Sequence, residues 1–226
     1  MKNQNITILF ILLFGIFLTV FAGCIDKEAS EVDQLIESAN EQRDYGRYNT
    51  ALEYYNQALD IDPSSEAAWS GKGLTYINLD KKEEATKCYD VILSNSDDVR
   101  WLRIAGMAYD ISLNQPKKAI EAYDKMLEIN PDDCYVWASK GSSLQHINQN
   151  EEAVKCFDMA LSINSDNGII WRNKGDSLLS LGKQNEAVEC YNEAIKCYNK
   201  DLEVNPEDIF ANFDKERVEE KLEEIK

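Results

Sequence analysis

The amino-acid sequence predicts an all-α protein in which antiparallel helix pairs stack into a solenoid, and two observations lead to this prediction. The 226 residues include only 4 prolines and 10 glycines, which favours helices with short turns over a sandwich or a barrel. The pattern Ala-x-x-x-aromatic also recurs with a constant period of 34 residues, which indicates stacked repeats that share one core. It occurs at Ala51/Tyr55, Ala85/Tyr89, Ala119/Tyr123, Ala153/Phe157 and Ala187/Tyr191.

A second signature precedes four of these motifs, and it reads WSGKGLTY from Trp69, WLRIAGMAY from Trp101, WASKGSSL from Trp137 and WRNKGDSL from Trp171. Together the two signatures resemble the tetratricopeptide repeat, with W-x2-L-G-x2-Y in its first helix and A-x3-F in its second. The resemblance covers residues 32–206 and implies a right-handed superhelical solenoid. Its five or so repeats would occupy about residues 32–65, 66–97, 98–133, 134–167 and 168–206.

Small residues on both helices of a repeat have a physical role that is independent of the family. They let two helix backbones approach closely, and the large rings then fill the space on either side. On the second helices these residues are the five alanines of the repeated motif. On the first helices they are Gly73, Ala105, Gly141 and Gly175.

Turn residues predict where the helices end. Pro63 and Pro131 stop one helix, and Ser65 and Asp133 are candidate N-caps of the next. Trp101 comes two residues earlier than the 34-residue period requires, so we expect the third repeat to begin early and to have a longer turn.

The end of the array departs from the pattern in a different way. Pro206 is delayed by seven residues, which predicts two extra turns in the last second helix. Residues 207–226 then predict a C-terminal helix that either caps the array or docks a partner helix. Its apolar stripe is Ile209, Phe210, Phe213, Val218, Leu222 and Ile225.

The N-terminus predicts export and attachment to a membrane. Residues 1–23 form a signal peptide or an uncleaved anchor, because an uncharged, mostly apolar run follows Lys2. The ending FAGC resembles the lipobox of prokaryotic lipoproteins, which implies that Cys24 is lipidated and begins the mature chain. Residues 24–31 would then be the lipidated cysteine and a short linker, and the repeats would face outside the cytoplasm at the membrane.

Composition and motifs exclude several functions. The formal net charge of -17 opposes nucleic-acid binding. We expect no enzyme activity and no cofactor, because the single histidine, His146, has no nucleophile motif beside it and no phosphate-binding loop occurs. No metal site is expected either, since the cysteines form no CxxC motif and we interpret them as packed free thiols. Besides Cys24 they are Cys88, Cys134, Cys156, Cys190 and Cys197.

The family resemblance implies a concave groove, lined by first helices, that binds a peptide or a partner segment. We therefore expect a membrane-tethered adaptor, with a structural or self-associating component of an envelope complex as the alternative. Three arginines among the groove candidates could pair with a carboxylate of the partner. The candidates are Asn40, Arg43, Ser70, Leu74, Ile77, Arg103, Tyr109, Tyr135, Ser142, Gln145, His146, Arg172, Asn173 and Asp176.

Overall fold

Residues 31–225 of the computed structural model are described here, and all of their regular secondary structure is helical. The signal peptide or anchor, Cys24 and most of the predicted linker lie outside these residues, and their predictions stay as they are. The described chain divides into two compact bodies, an N-terminal body that ends at Ser94 and a C-terminal body that begins at Asn95.

The N-terminal body is made of four helices. They are α1 (31–44), α2 (Tyr48–Ile61), α3 (Glu66–Asn78) and α4 (Lys82–Asn95), whose last residue crosses the boundary between the bodies. The C-terminal body has seven α-helices and one π-helical segment. They are α5 (Val99–Met107), the π-helical segment (Ala108–Ser112), α6 (Pro116–Ile129), α7 (Cys134–His146), α8 (Asn150–Ile163), α9 (Gly168–Ser180), α10 (Gln184–Val204) and α11 (Ile209–Ile225).

Side-chain caps begin the first helices from α3 onward. The Ser65 hydroxyl accepts a hydrogen bond from the Ala68 N–H, and the Asp133 carboxylate accepts two from the N–H groups of Tyr135 and Val136. Both predicted N-caps are thus confirmed. In the same way, Asp98, Asn167 and Asp208 accept hydrogen bonds from the N–H groups that begin α5, α9 and α11.

A tryptophan ring closes three of these boundaries. The Trp69 Nε1 donates to the carbonyl of Pro63 at 2.9 Å, and the Trp137 Nε1 donates to that of Pro131 at 2.8 Å. In the fifth repeat the Trp171 Nε1 makes the same bond, at 2.9 Å, to the carbonyl of Ser165. The contact uses only a backbone oxygen, so the boundary persists where the proline is missing.

Close approach of a glycine to an aromatic ring holds the two helices of a repeat together. A Cβ atom built on Gly141 would lie 2.7 Å from Phe157, and one built on Gly73 would lie 2.9 Å from Tyr89. Both rings are buried, and so are the five alanines of the repeated motif. This confirms the packing that the small residues predict.

The third repeat corrects one prediction from the sequence. Gly106, and not Ala105, is the residue on which a Cβ would meet the ring of Tyr123, at 2.8 Å. Gly106 lies 17 residues before its ring, whereas Gly141 lies 16 before Phe157. The π-helical segment takes up the extra length, with the Leu113 N–H donating to the Ala108 carbonyl five residues earlier.

In the fifth repeat, α10 confirms the two extra turns, because it has 21 residues against 14 in α8. After it, α11 begins like the first helix of another repeat. The Asn212 Nδ2 donates to the carbonyl of Pro206, six residues earlier, as the tryptophans do at their boundaries. Ala211 is buried at the place that Val136 takes in α7, immediately before the tryptophan position. We therefore describe α11 as the first helix of a sixth repeat.

The predicted apolar stripe of α11 is only partly correct. Val218, Leu222 and Ile225 pack against the core of the fifth repeat. Ile209, Phe210 and Phe213 are exposed instead. By register, Phe210 corresponds to Tyr135 in α7, which is also exposed.

Candidate functional site

In the N-terminal body, the groove candidates Asn40 and Arg43 form a hydrogen-bonded group with the buried Tyr55. The Tyr55 hydroxyl donates to the Asn40 Oδ1 at 2.7 Å, and the Arg43 Nη1 donates to the Tyr55 hydroxyl and to the Asn40 Oδ1, both at 3.0 Å. Burial is the largest effect on the pKa of Tyr55, which it raises, while Arg43 acts to lower it. Of the other three candidates, Ser70 and Ile77 are half-buried and Leu74 is exposed.

In the C-terminal body, polar side chains link each first helix to the next. We call these links clasps, and each of the three junctions has two. Between α5 with its π-helical extension and α7, the Arg103 Nη2 lies 3.0 Å from the Asp133 Oδ2, and the His146 Nδ1 lies 3.1 Å from the Asp110 Oδ1.

The clasps between α7 and α9 are uncharged. The Gln145 Nε2 donates to the Ser177 Oγ and to the Asn173 carbonyl, both at 2.8 Å, and the Asn173 Nδ2 donates to the Ser142 Oγ at 3.4 Å. These bonds satisfy half-buried polar groups at the junction.

The clasps between α9 and α11 are ion pairs, one of Arg172 with Asp214 and one of Lys221 with Asp176. Only 12% of the Arg172 side chain and 18% of the Asp214 side chain are exposed. The Asp176 Oδ1 also accepts a hydrogen bond at 2.7 Å from the Tyr191 hydroxyl, and burial together with this carboxylate raises the pKa of Tyr191.

Seven of the sequence-predicted groove residues therefore serve as clasps, and both arginines among them already have a carboxylate partner within the chain. The seven are Arg103, Ser142, Gln145, His146, Arg172, Asn173 and Asp176. The prediction for Tyr109 is wrong, because its side chain is fully buried. It lies in the π-helical segment, where the extra residue turns the following side chains away from the direction that a regular helix would give them.

Exposed apolar side chains remain on this face of the C-terminal body, and we call them the apolar row. Each of α7, α9 and α11 contributes one at the same register, two residues before its tryptophan position, and Phe213 lies one turn after Phe210. Of these, only Tyr135 was a groove candidate in the sequence, although the shared register could have revealed the others. Their exposed fractions are 60% for Tyr135, 47% for Ile169, 84% for Phe210 and 63% for Phe213.

A cavity of about 420 Å³ lies on the other side of the same helices, between α6, α7 and α8. Its walls include Ile120, Trp137 and Met159. The Lys140 Nζ covers it from 5.5 Å above the Trp137 ring and lies 2.5 Å from the Asp124 Oδ1. Asp124 therefore neutralises the charge of Lys140, the lysine that lies over the Trp137 ring.

The five cysteines within residues 31–225 are packing residues, as the sequence predicts. Cys88, Cys156 and Cys190 occupy equivalent buried positions, Cys134 is also buried, and Cys197 is half-buried. Burial raises the pKa of the Cys88 thiol to about 11 and also raises that of Cys156 and Cys190. Because the thiolate is the nucleophile, these thiols are unreactive.

We expect thiol labelling of the folded chain to reflect this burial. In a full-length Cys24→Ser chain at pH 8, a maleimide should modify Cys197 first. The buried thiols should react at least about tenfold more slowly, because the surrounding helices must open locally before the reagent can reach them. Peptide mapping by mass spectrometry measures the order, with urea-unfolded chain as the control. Rapid modification of Cys156 in the folded chain would contradict the packing interpretation.

Residues 31–225 contain no group of three His, Cys, Asp or Glu side chains arranged to hold a metal ion. No helix in that part is both long and apolar enough to span a bilayer.

Two family models match the sequence. The one described as "TPR repeat" matches residues 39–80, and the one described as "Tetratricopeptide repeat" matches 101–133, 135–167 and 170–201, so that together they cover more than half of the chain. No curated protein matches the sequence significantly.

Several solved structures are similar to this chain. The crystal structure of MamA protein has 16% sequence identity and a TM-score of 0.64, and the match covers 77% of this chain and 96% of that one. YrrB, described as a TPR protein with an unusual peptide-binding site, has 21% identity and a TM-score of 0.61, with 87% and 97% covered. TTC0263, a thermophilic TPR protein of Thermus thermophilus, has 17% identity and a TM-score of 0.50, with 83% and 98% covered. These structural similarities establish a shared fold.

Proposed function

Because the chain belongs to the tetratricopeptide repeat family, whose members bind protein or peptide partners and are typically not catalytic, we propose that it is an interaction module tethered to a membrane. The repeats would lie outside the cytoplasm, held by a lipidated Cys24 or by an uncleaved N-terminal segment. The first helices of the C-terminal body would bind a segment of the partner.

The apolar row is the observation that carries the binding proposal. Large apolar side chains at one register of α7, α9 and α11 are exposed, and exposed apolar patches on soluble domains mark binding sites. The clasps around the row are polar and already satisfied, so they frame it without competing for the ligand. Tyr135, Phe210 and Phe213 supply aromatic rings, the residue type most enriched at interface cores.

The structural alternative, in which arrays stack end to end through the C-terminal helix, has less support. A following second helix would pack on the positions that hold Trp137, Lys140 and Gly141 in α7. By register, α11 has Asn212, Lys215 and Glu216 at these positions, with Glu219 a turn later. This surface is polar. The Glu216 side chain would also keep an aromatic ring from packing as closely as Phe157 packs on Gly141 in α7. Self-association through other surfaces stays a prediction.

We expect the tether to depend on Cys24. In a prokaryotic host that processes lipoproteins, the chain should fractionate with membranes and incorporate an alkyne-tagged fatty acid, whereas the Cys24→Ser chain should not incorporate it. Cys197→Ser is the matched control and should be labelled normally. An unlabelled but membrane-bound chain would indicate the uncleaved anchor, and repeats protected from external protease in spheroplasts would contradict the location.

Photocrosslinking in cells tests the binding face. A photoreactive amino acid at the position of Tyr135 or Ile169 should give a discrete adduct with a partner, since these side chains are exposed on the proposed face. The control positions are Met159 and Ile163, which are exposed to a similar extent on the second helix α8. Adducts from the control positions alone would place binding on the opposite side and contradict the proposal.

A further inference from the structure

We infer that the partner segment carries large apolar side chains flanked by lysine or arginine, and that it binds at the turn between α10 and α11. This inference rests on the proposed function and adds the chemistry of the partner. The observation behind it is a group of exposed apolar side chains beside carboxylates that have no cation. We call the group the terminal patch, and its members are Val204, Ile209, Phe210 and Phe213.

The terminal patch is unusually open to solvent. Val204, Ile209 and Phe210 are the most exposed large apolar side chains in residues 31–225, with exposed fractions of 85%, 79% and 84%. A single exposed apolar side chain is ordinary on a protein surface, but four within ten residues of sequence make a patch. Such a patch is the type of surface that a partner covers.

Helix geometry makes the patch contiguous. In α11, Phe213 follows Ile209 by four residues and Phe210 by three. Residues at both spacings are neighbours on a helix surface, with about 5–6 Å between their Cβ atoms. Val204 is the last residue of α10 and precedes them by one short turn. The patch is therefore about one helical turn long, which suits one or two apolar anchors of a short segment.

Carboxylates border the patch at the turn. Glu203 directly precedes Val204, Glu207 lies two residues before Ile209, and both glutamates are exposed. No lysine or arginine of the described chain lies within ion-pair distance of either glutamate. The preceding lysine of α10, Lys200, is already paired with Asp166. Lysine or arginine of a ligand would supply the missing partner.

The other charges around the patch keep this end acidic. Asp208 caps the first turn of α11, and Asp214 belongs to a clasp. Farther along α11, the charges of Glu216 and Arg217 cancel. Residues 201–217 include six acidic and two basic residues in all. A ligand therefore meets negative charge where the patch adjoins the turn.

The same charges disfavour a second copy of the chain and a lipid surface. Two copies that met at their terminal patches would bring Glu203 and Glu207 of both together, and each chain has a formal net charge of -17. Anionic head groups would be repelled for the same reason. Burying the patch in a neutral membrane would remove water from the two carboxylates beside it. A protein segment that is both basic and apolar avoids these costs.

Selection from a peptide library tests the inference. Phage-displayed random peptides are enriched on the full-length chain in zwitterionic nanodiscs, after peptides that bind empty nanodiscs have been removed. We expect the enriched peptides to share large apolar residues flanked by lysine or arginine. The strongest of them is then synthesised in amidated, fluorescent form, and its affinity is measured by anisotropy.

Variants of the patch should weaken this peptide. Phe210→Ala should do so by about tenfold, because it removes an exposed aromatic anchor. Glu203→Gln/Glu207→Gln should do so by about fivefold, because two surface charge pairs are lost. The matched control, Glu223→Gln/Glu224→Gln, removes the same charge from exposed positions at the far end of α11 and should bind normally. Circular dichroism must show that all variants are equally helical.

Some outcomes would overturn the inference and leave the binding face in place. Enriched peptides that are acidic or uncharged would do so, and so would equal weakening by the two pairs of glutamate substitutions, which would indicate attraction by net charge alone. Binding that is lost in Tyr135→Ala/Ile169→Ala but kept in Phe210→Ala would also do so. The site would then lie on the same face but away from the terminal patch.

Crosslinking distinguishes the remaining occupants. A photoreactive amino acid at the position of Phe210 should form an adduct with the peptide, and adducts with lipid or with a second copy instead would overturn the inference. If no peptide is enriched and no crosslink forms from Tyr135 or Ile169 in cells, both the inference and the binding face are wrong.

Discussion

Phe157→Ala is expected to lower the free energy of unfolding by about 3–5 kcal/mol, the range for removing a fully buried phenylalanine. The ring is completely buried in a cluster with Ala153, Ala160 and Ile170. These neighbours belong to two helices and cannot all move into the space that the ring leaves. Urea denaturation followed by circular dichroism and by tryptophan fluorescence measures the loss. Met159→Ala, an exposed change on the same helix, should cost much less.

The same ring predicts a coupling with Gly141. Gly141→Ala alone should destabilise, because its Cβ would lie 2.7 Å from the Phe157 Cε1, and a fully buried ring has little room to retreat. In Phe157→Ala that obstacle is gone, so adding Gly141→Ala should cost less than it does in the wild type. Additive losses in the double-mutant cycle would show that the close approach does not set the spacing of these helices.

Val218→Asp is expected to detach α11 while the rest of the C-terminal body stays folded. Val218 is fully buried in the cluster that contains Leu178 and Tyr191. An unpaired carboxylate there costs several kcal/mol, more than a terminal helix at the end of an array gains from docking. Circular dichroism should show the loss of helicity equivalent to the 17 residues of α11. Hydrogen exchange should localise the loss to that helix.

Phe210→Asp is the matched control on the same helix. Its side chain is exposed, so the substitution should leave the stability and the helicity unchanged. If Val218→Asp unfolded the whole C-terminal body, α11 would be part of its cooperative core and would not be a separable cap. If Val218→Asp had no effect, the docking of α11 on the fifth repeat would be wrong.

The second helices and the starts of the first helices α3 and α7 could be predicted from the sequence because the causes of both patterns are local. A small alanine and an aromatic residue recur at each second helix, and the caps Ser65 and Asp133 bond to N–H groups only two or three residues away. Such signals do not depend on distant parts of the chain. The third repeat misled because Trp101 lies five residues before Gly106, whereas Trp137 lies four before Gly141. In the third repeat the buried Leu102 takes the place four residues before the glycine.

The residues of the candidate site could be predicted only in part, and their partners within the chain could not. The sequence identifies Arg172 as a residue of the right face, but its partner Asp214 lies 42 residues later, in a helix that departs from the repeat pattern. Likewise, His146 and Asp110 meet only because the π-helical segment redirects Asp110. Long-range pairs between non-repeated side chains have no periodic signal, so the sequence could not show that these groups already have partners.

The clasps also bear on how the C-terminal body bends. Its first helices are cross-linked by polar bonds, and at the outer junctions these are ionic. Bending that spreads the first helices must stretch these ion pairs. Salt screens partly exposed ion pairs such as Arg103–Asp133 and so weakens them. Its effect on apolar packing is only indirect. The resistance of this body to bending that spreads its first helices should therefore fall with rising ionic strength. The proposed binding surface should accordingly deform more easily at high salt than in dilute buffer.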